Sequence, residues 1–583
     1  MGITTIVRGG GWLTDDIPDA GVLAPETLTE EHRLIGRTAD QFITTEVLPA
    51  GERLEQKDWA LARQLVKRAG ELGLLGTDVP EAYGGVGLDK VSSIVVGESV
   101  GRSASFATTF GAQTGLVITP LVCFGTEEQK ARYLPGLVSG ESTGAYALSE
   151  SGSGSDALGA RARATRSADG SFRLNGEKMW ITNGGFADLF IVFAKVDGEQ
   201  FTAFIVERGF PGVSTGAEEH KMGLHGSSTT PLILQDAEVP AGNVLGQIGS
   251  GHKVAFNVLN YGRFKLAAMC SGGARGVVAE AAAYAAERRQ FGRALGSFGA
   301  IRHKLAEMAI RLYAVESMLY RTAGLIDGAI GEGPAGAGNE AAVLAALEEF
   351  AIEASILKVA GSEMLDFAVD ENVQIHGGNG FVRDYPAEGH YRDARVNRIF
   401  EGTNEINRLL IPGIMIRRAL KGTLPLIGAA KKLQDEILAP ASAEPLADGP
   451  LAGERRTIAA LKKVGLMVIG TAMQTYGDKL TDEQEVLTAA ADILIDIFAA
   501  ESVVARAVAA APLHQAVAAI VVHDAAARVE AAARVALAAM AEGDALRTLL
   551  AALRKMLKPA PINTVALRRL IADAVLERKA YVF

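Results

Sequence analysis

The run Arg398-Ile-Phe-Glu-Gly-Thr-Asn-Glu405 closely follows the glycine turn Gln374-Ile-His-Gly-Gly-Asn-Gly380. Taken alone, Glu401 in the first segment would be a solvated surface charge, since glutamate is rarely buried. A glutamate buried beside an apolar ligand has a raised pKa, which makes it a better base for a weakly acidic C–H group. The segments that accompany Glu401 therefore decide between the two interpretations.

Composition restricts the function classes. The 583 residues are 48% apolar and 22% charged, with a formal net charge of −10. This length predicts about three or four ordered domains. The acidic balance gives no basic surface for nucleic acid, which is therefore not an expected partner. The two cysteines, Cys123 and Cys270, lie far apart, so neither a disulfide framework nor a zinc site is expected, and no metal is assigned.

The sequence has no recognisable targeting segment. Residues 1–10 lack the basic and apolar regions of a secretory signal and the Arg/Ser-rich pattern of a transit peptide. The alanine-rich stretch from Val503 to Met540 is interrupted by charged residues, so no membrane span is expected. We therefore expect a cytoplasmic protein.

Hydrophobic periodicity divides the chain into helical and β regions. Helical spacing predominates at first, with Thr27 or Thr29 as a candidate cap. Alternating, β-branched segments follow, including a strand that we expect to turn at Asn175-Gly176. Helical spacing then returns, and we expect Pro412-Gly413 to interrupt the last helix of that region. The predicted units are a tail (1–26), a helical domain (27–143), a β-domain (144–252), a helical bundle (253–422) and a further helical domain (423–583), which a proline-rich linker at 439–450 splits.

This order of domains, together with the motifs around Glu401, resembles the acyl-CoA dehydrogenase family from about Thr29 to Gly422. The extra helical tail resembles that of the very-long-chain branch. The resemblance implies a mainly α fold with a central β-domain: an N-terminal helical domain, a β-barrel-like domain, a C-terminal four-helix bundle and an additional helical domain. It also implies an FAD-dependent acyl-CoA dehydrogenase.

Two segments of the β-domain are similar to the family's flavin-binding segments. In the first, Tyr146-Ala-Leu-Ser-Glu-Ser-Gly-Ser-Gly-Ser-Asp156, the resemblance places Tyr146, Leu148 and Ser149 at the flavin and Ser155 near the thioester end of CoA. In the second, Lys178-Met-Trp-Ile-Thr-Asn-Gly-Gly185, it places Trp180 and Ile181 against the ring and the Thr182 hydroxyl at N5. Trp180 and Thr182 would project to the same side of a regular strand.

The helical bundle carries further matches. Asn260 and Arg263 correspond to positions where relatives hold CoA, and a planar, permanently charged arginine suits phosphate and adenine. Further residues correspond to positions that contact the FAD of a neighbouring subunit: Arg288, Gln290, Phe291, Phe298, Gln374, Ile375, Gly377 and Gly378. The resemblance therefore implies a homodimer or a dimer of dimers.

The final motif carries the proposed chemistry. By resemblance, Glu401 removes the α-proton of an acyl thioester, and its backbone N–H, beside Gly402, binds the thioester oxygen as an oxyanion-hole donor. Thr403 and Glu405 fall where relatives contact the flavin. We expect Arg392 and Asp393 to form an internal ion pair that supports this segment.

Two further stretches match known motifs only as strings of letters. Gly331–Gly336 satisfies a dinucleotide-binding pattern but follows a helix, and Gly212–Gly216 spells a hydrolase elbow without its strand and helix. The expected electron acceptor is an electron-transfer flavoprotein. The alternatives are an oxygen-using flavin oxidase or monooxygenase on the same scaffold and a non-catalytic assembly protein.

Two questions stay open from the sequence. Acyl-chain length is undetermined. Long-chain relatives have small residues in the helix that floors the acyl cavity, and the bulkier Val117 and Pro120 in the comparable stretch here weigh against very long chains. The segments around Lys431-Lys432 and Arg455–Lys463 could touch a membrane surface weakly, although a solvated helix face is the simpler interpretation.

Overall fold

The computed structural model describes residues 7–18, 22–331, 339–438 and 449–583. The predicted fold class is confirmed: a helical domain, a central sheet, a helical bundle and an additional helical domain follow one another along the chain. Most of the dinucleotide-like pattern at 331–336 and of the proline-rich linker at 439–450 lies outside the described residues.

The N-terminal helical domain packs around its own apolar core, which includes Phe42, Val66 and Phe106. Thr29 caps its first helix by accepting a hydrogen bond from His32 N at 3.2 Å. A π-helical segment, Ala112–Ile118, joins two of its helices into one continuous stretch. The helices are α1 (Glu30–Phe42), α2 (Gly51–Glu55), α3 (Trp59–Glu71), α4 (Lys90–Val100), α5 (Ala104–Gly111), α6 (Thr119–Phe124) and α7 (Glu127–Ser139).

The central sheet is mostly antiparallel. Its order is β6-β7-β3-β2-β4-β5-β8, with β1 parallel to β4. Strands β5 and β7 also approach each other, so the sheet curls. The strands are β1 (Gly144–Ala147), β2 (Arg163–Arg166), β3 (Phe172–Thr182), β4 (Leu189–Val196), β5 (Gln200–Glu207), β6 (Val213–Thr215), β7 (Thr229–Val239) and β8 (Val244–Leu245).

The predicted turn at Asn175-Gly176 is wrong. Strand β3 continues through both residues, and its pairing with β7 shifts register between Leu174 and Gly176. Gly176 has a φ of 149°, and a β-carbon there would lie 2.9 Å from the Ala162 side chain. Strands pair on both sides of β3 and keep it extended through these residues. The glycine therefore forms a bulge within the sheet and not a turn.

The helical bundle consists of long helices that share one core with the C-terminal domain. Helix α11 packs against α8, α9 and α13, and a two-stranded hairpin, β9 and β10, projects between α8 and α9. The elements are α8 (Gly251–Glu287), β9 (Arg289–Gln290), β10 (Arg293–Ala294), α9 (Gly299–Ile330), α10 (Glu340–Glu349), α11 (Ala351–His376), α12 (Ala387–Ala394) and α13 (Asn404–Leu420).

The predicted interruption at Pro412-Gly413 is also wrong, because α13 runs through it. Proline removes one hydrogen bond from a helix interior. Here Ile411, Pro412 and Met415 are buried, so tertiary packing outweighs the lost bond.

The C-terminal domain is fixed to the bundle by apolar packing and ion pairs. Arg506 lies 2.9 Å from Glu316 and Arg321 lies 2.8 Å from Glu501, and all four side chains are buried. Each buried charge here has an oppositely charged partner, and a buried charge without one would strongly destabilise the fold. Its helices are α14 (Leu426–Leu438), α15 (Ala452–Tyr476), α16 (Gln484–Ala507), α17 (Pro512–Met540), α18 (Gly543–Met556) and α19 (Thr564–Arg578).

The residues before α1 pack against distant helices. Trp12 is 4% exposed, donates its indole N–H to Glu353 at 2.8 Å, and lies 5.1 Å from the Phe498 ring. The described part of the predicted tail is therefore a fixed segment between the bundle and the C-terminal domain.

The candidate membrane-facing segment Arg455–Lys463 uses its cations internally. Lys462 is buried and lies 2.5 Å from Glu501, while Arg455 donates to Ile17 O at 3.0 Å. These contacts do not support membrane contact by this segment. Among the described residues, one helical stretch, Ala104–Phe124, is long and apolar enough by composition to cross a membrane, and most of it is buried within the protein.

Candidate active site

Glu401 lies in a strained turn just before α13. Its φ is 57°, and that of the following Gly402 is 80°. Non-glycine residues rarely adopt this left-handed conformation, which is typically maintained where a site requires it. Thr403 caps α13 by accepting a hydrogen bond from Ile406 N at 3.3 Å. The cap and the glycine together fix the direction of the Glu401 side chain.

The Glu401 carboxyl group faces a cavity. The residue is half-buried because it lines this cavity, yet its Oε2 atom is buried and has no hydrogen-bond partner among the described residues. Burial raises the pKa of Glu401 to about 7, while the charges of Arg263 and Lys358 oppose the rise. The group is therefore suited to accept a proton near neutral pH.

Arg263 is buried and hydrogen-bonded within the protein. It is 7% exposed; its Nε donates to the Glu401 carbonyl at 3.0 Å, and its Nη1 donates to Asn260 Oδ1 at 2.9 Å. The expected contact of Arg263 with the phosphate and adenine of CoA stays a prediction. Its guanidinium group is enclosed, and it positions the turn that carries the base.

Lys358 is a buried cation on α11 near the same carboxyl group. Its Nζ donates to Asn404 Oδ1 at 2.6 Å, and Asn404 Nδ2 donates to Ser362 Oγ at 3.1 Å. Burial lowers the pKa of Lys358 to about 8. The network joins α11 to the first residue of α13 and places positive charge behind Glu401.

The cavity has a volume of about 110 Å³ and extends from Glu401 between α5 and α8. One wall consists mostly of small residues along α5 and the π-helical segment, together with Leu116. The opposite wall comes from α8, and Thr182 of β3 also lines the cavity. The lining residues include Gly101, Ala104, Ala107, Thr108, Gly111, Ala112, Gly115, Thr182, Gly262, Lys265, Met269, Phe400 and Glu401.

Val117 and Pro120, expected in the cavity floor, are not among its lining residues. Val117 instead packs in the core between the helices and the sheet, and a β-carbon on Gly144 would lie 2.5 Å from its Cγ1. Because a π-helix adds a residue to a turn, it rotates the helix face that reaches the cavity. The bulk of these two residues therefore does not limit acyl length.

The predicted ion pair between Arg392 and Asp393 is not observed. Arg392 Nε donates to Glu388 at 2.6 Å, and Asp393 Oδ1 accepts from Leu224 N at 2.6 Å. Asp393 therefore attaches the β-domain to the segment before Glu401 through a backbone hydrogen bond.

The second flavin-like segment is irregular at Trp180. Its φ is 57°, the register of β3 with β7 shifts between Lys178 and Ile181, and the indole is 58% exposed. Simple strand alternation therefore does not apply here. Ile181 is buried, so its side chain packs in the sheet core, whereas Thr182 reaches the Glu401 cavity.

The first flavin-like segment lies beside the second. Met179 N donates to Ser149 O at 2.9 Å, Lys178 Nζ donates to Leu148 O at 3.1 Å, and Tyr146 has a buried hydroxyl without a described partner. The exposed indole of Trp180, this unpaired hydroxyl and Thr182 fit the ring end of a flavin. Ser155 lies on an exposed loop.

The remaining predicted cofactor residues lie away from the cavity. Phe291, at the tip of the β9–β10 hairpin, is 92% exposed. The Cζ atom of Arg293 lies 3.9 Å from the centre of the Phe298 ring. Ile375 is buried in the bundle core, so only its backbone could reach a ligand. Arg288, Gln290, Gln374, Gly377 and Gly378 are exposed. Their contact with a neighbouring subunit's FAD stays a prediction, as do the flavin contacts of Thr403 and the exposed Glu405.

Sequence reasoning missed the other side of the cavity. Gly262, Met269, Lys358 and the small residues of α5 were not singled out. Their sequence signal is weak, since glycine and alanine at helical spacing occur in many cores. Gly262, a glycine inside the predicted helix, was the clearest sequence indication that another group approaches the backbone of α8 closely.

Comparison with known proteins shows the family. Models of the acyl-CoA dehydrogenase N-terminal, middle and C-terminal domains match residues 29–141, 145–237 and 249–415, and a second C-terminal domain model matches residues 460–555. A "Probable acyl-CoA dehydrogenase" of Bacillus subtilis is 47% identical over 99% of this chain and 98% of its own length. The chain therefore belongs to the acyl-CoA dehydrogenase family and is an FAD-dependent oxidoreductase.

A solved structure agrees over the whole chain. The acyl-CoA dehydrogenase of Bacillus anthracis, complexed with FAD, has a TM-score of 0.96 and 48% identity, covering 99% of this chain and 100% of that one. The human very long-chain enzyme is 42% identical over 58% of this chain and 51% of its own length. The human short-chain enzyme is 37% identical over 67% of this chain and 91% of its own length, so relatives of both classes are similar.

Proposed function

We propose that the protein oxidises fatty acyl-CoA to trans-2-enoyl-CoA in fatty acid β-oxidation. The observation that carries the proposal is the cavity between Glu401 and Thr182. One wall presents a buried carboxylate with a pKa of about 7. The other presents the strand that resembles a flavin-binding segment. A thioester bound there would have its α-carbon against the base.

Glu401 acts as the base in this proposal, and its Oε2 receives the α-proton. Arg263 and Lys358 stabilise the ionised carboxylate, so part of the enzyme carries a competent base at neutral pH. Bound FAD supplies the acceptor for the hydride from the β-carbon. No described hydrogen bond uses the Glu401 backbone N–H, which leaves it available as a donor to the thioester oxygen.

We propose long acyl chains as the substrate class. The inner cavity wall contains Ala104, Ala107, Thr108, Gly111 and Ala112, whose small side chains leave room for an apolar chain. An aliphatic chain gains about 0.8 kcal/mol per buried methylene group. The cavity therefore favours longer chains up to the point where its walls obstruct them.

Further parts of the proposal concern cellular context. The electron acceptor is an electron-transfer flavoprotein, and the enzyme is cytoplasmic. The active unit is a homodimer or a dimer of dimers, in which the exposed β9–β10 hairpin, with Phe291 at its tip, serves the FAD of a neighbouring subunit. Ser155 remains the proposed contact near the thioester end of CoA. Asn260, Arg263 and Gly402 remain the other proposed contacts with the substrate.

Anaerobic titration of the FAD-loaded enzyme with acyl-CoAs from four to twenty carbons tests the proposal. We expect loss of the oxidised flavin absorbance, greatest with long chains, and no loss in Glu401→Gln with FAD still bound. Absence of bleaching with every chain length would favour the non-catalytic alternative. Rapid peroxide formation in air without another acceptor would favour an oxidase.

A further inference from the structure

Successive turns of α8 define positions along the cavity. Gly262 lies against Glu401, and one turn later the Lys265 stem lies 3.8 Å from where a β-carbon on Gly115 would be. Two turns after Gly262, Met269 lies against Gly111, where a β-carbon would be 3.0 Å from its Cε and 3.5 Å from its Sδ. The three α8 residues therefore face the start, middle and inner part of the cavity in order.

Lys265 does not close this path with its charge. Its Nζ donates to Thr114 Oγ1 at 3.1 Å and lies 5.2 Å from the centre of the Tyr261 ring. The Tyr261 hydroxyl in turn donates to Asp78. Neither Thr114 nor Tyr261 lines the cavity, so the ammonium group is held behind the wall while the aliphatic stem faces the chain.

Met269 is different, because its side chain lines the cavity and its thioether reaches Gly111 on the facing helix α5. The thioether rests on Gly111, with Ala112 and Gly115 on the side of Glu401 and Ala104 and Ala107 on the far side. Its backbone is fixed, since a β-carbon on Gly101 would lie 2.1 Å from the Met269 carbonyl oxygen. Methionine is unbranched and has three rotatable bonds. The side chain can therefore move while its helix stays in place.

The position of this obstruction can be expressed as a chain length. Met269 lies seven positions after Gly262 in α8, which corresponds to about 10.5 Å along the helix axis at 1.5 Å per residue. Carbon–carbon bonds of about 1.52 Å meeting near 111° advance about 1.25 Å each. A chain whose α-carbon lies at Glu401 would therefore reach Met269 after about eight bonds, near its tenth carbon.

We propose that Met269 is a specificity-determining gate of the acyl cavity. Acyl chains of up to about ten carbons fit between Glu401 and the thioether. Longer saturated chains enter the inner chamber beside Ala104 and Thr108 only when the thioether swings away from Gly111. The proposal rests on the proposed acyl-CoA oxidation, since it concerns the same cavity.

Steady-state kcat/KM with octanoyl-, dodecanoyl- and hexadecanoyl-CoA tests the gate in Met269→Ala and Met269→Phe. The readout is the ratio of hexadecanoyl to octanoyl activity within each variant, so that effects on shared steps cancel. We expect this ratio to rise at least fivefold in Met269→Ala and to fall at least tenfold in Met269→Phe. The matched control is Met364→Ala, which removes a buried methionine of α11 that does not line the cavity; its ratio should not change.

Thermal unfolding and FAD content of each variant establish that it is folded. A ratio that stays within twofold of wild type in both Met269 variants, with octanoyl-CoA still oxidised, would overturn the gate alone. Failure of the wild-type enzyme to oxidise any of the three thioesters would overturn the proposed function and the gate with it.

Discussion

Glu401 lies against the bare backbone of Gly262: a β-carbon at position 262 would lie 2.7 Å from Oε2 and 3.0 Å from Oε1. The glycine lies in the middle of α8, where it costs roughly 1 kcal/mol of helix stability relative to alanine. Its helical position requires no left-handed φ, so the close approach to the carboxylate explains the residue.

Gly262→Ala should therefore displace the carboxylate. We expect kcat/KM with a long-chain acyl-CoA to fall about 100-fold, because a displacement near 1 Å has effects of that order. Bound FAD should remain near one equivalent. Gly276→Ala is the matched control, since it lies on the same helix and a β-carbon there would meet no atom within 4 Å. Equal activity of the two variants would contradict the inferred contact.

The pH dependence of kcat/KM should report the base. Only the ionised Glu401 accepts a proton, so activity should increase with pH and level off above about 7, the pKa of this group. The charge of Lys358 favours the ionised form. Lys358→Met should therefore shift the inflection to higher pH, whereas Lys358→Arg should shift it less. If the inflection of both variants stayed at the wild-type pH, an electrostatic influence of Lys358 on the pKa of Glu401 would be excluded.

Replacing the base should stabilise the protein. Burial raises the pKa of Glu401 from 4.5 to about 7, which corresponds to about 3 kcal/mol at 1.36 kcal/mol per pH unit. The folded state binds the proton more tightly than the unfolded state, so the penalty begins above pH 4.5 and is complete above about pH 7. Glu401→Gln should therefore raise Tm more at pH 8 than at pH 5, measured with saturating FAD. A Tm difference independent of pH would contradict this account.

The β9–β10 hairpin should matter for assembly and cofactor retention. Phe291 is 92% exposed in the single chain, with the Phe298 ring 6.1 Å away, and has a left-handed φ of 51°, which is an unfavourable placement for a large apolar side chain facing water. Phe291→Ser should weaken self-association in sedimentation and increase FAD loss on dilution. Val535→Ser removes another exposed apolar side chain, 68% exposed on α17, and should change neither. If Phe291→Ser changed neither self-association nor FAD retention, the hairpin would not be part of the subunit interface.

The order of domains could be predicted from the sequence because it depends on local periodicity, and contiguous motifs were enough to single out Glu401 as the candidate base. It was insufficient where distant contacts decide. Asn175-Gly176 has the composition of a turn, but two neighbouring strands keep it extended. Arg263 has the chemistry of a phosphate ligand, but the Glu401 turn and Asn260 enclose it.

The acyl cavity was the least predictable part. The resemblance to long-chain relatives implies a floor with Val117 and Pro120, whereas the π-helical segment Ala112–Ile118 changes the face that reaches the cavity. No single residue in this stretch signals the irregularity. The gate position of Met269 likewise depends on Gly101 and Gly111, which approach it only in the folded structure.

The contacts of Trp12 constrain the order in which the protein folds during synthesis. Its hydrogen-bond acceptor, Glu353, is 341 positions away, and its ring partner, Phe498, lies on a helix of the last domain. Domains generally fold in order as a ribosome releases them. This early tryptophan cannot reach its final environment until Phe498 has been synthesised, so burial of Trp12 should come late in maturation.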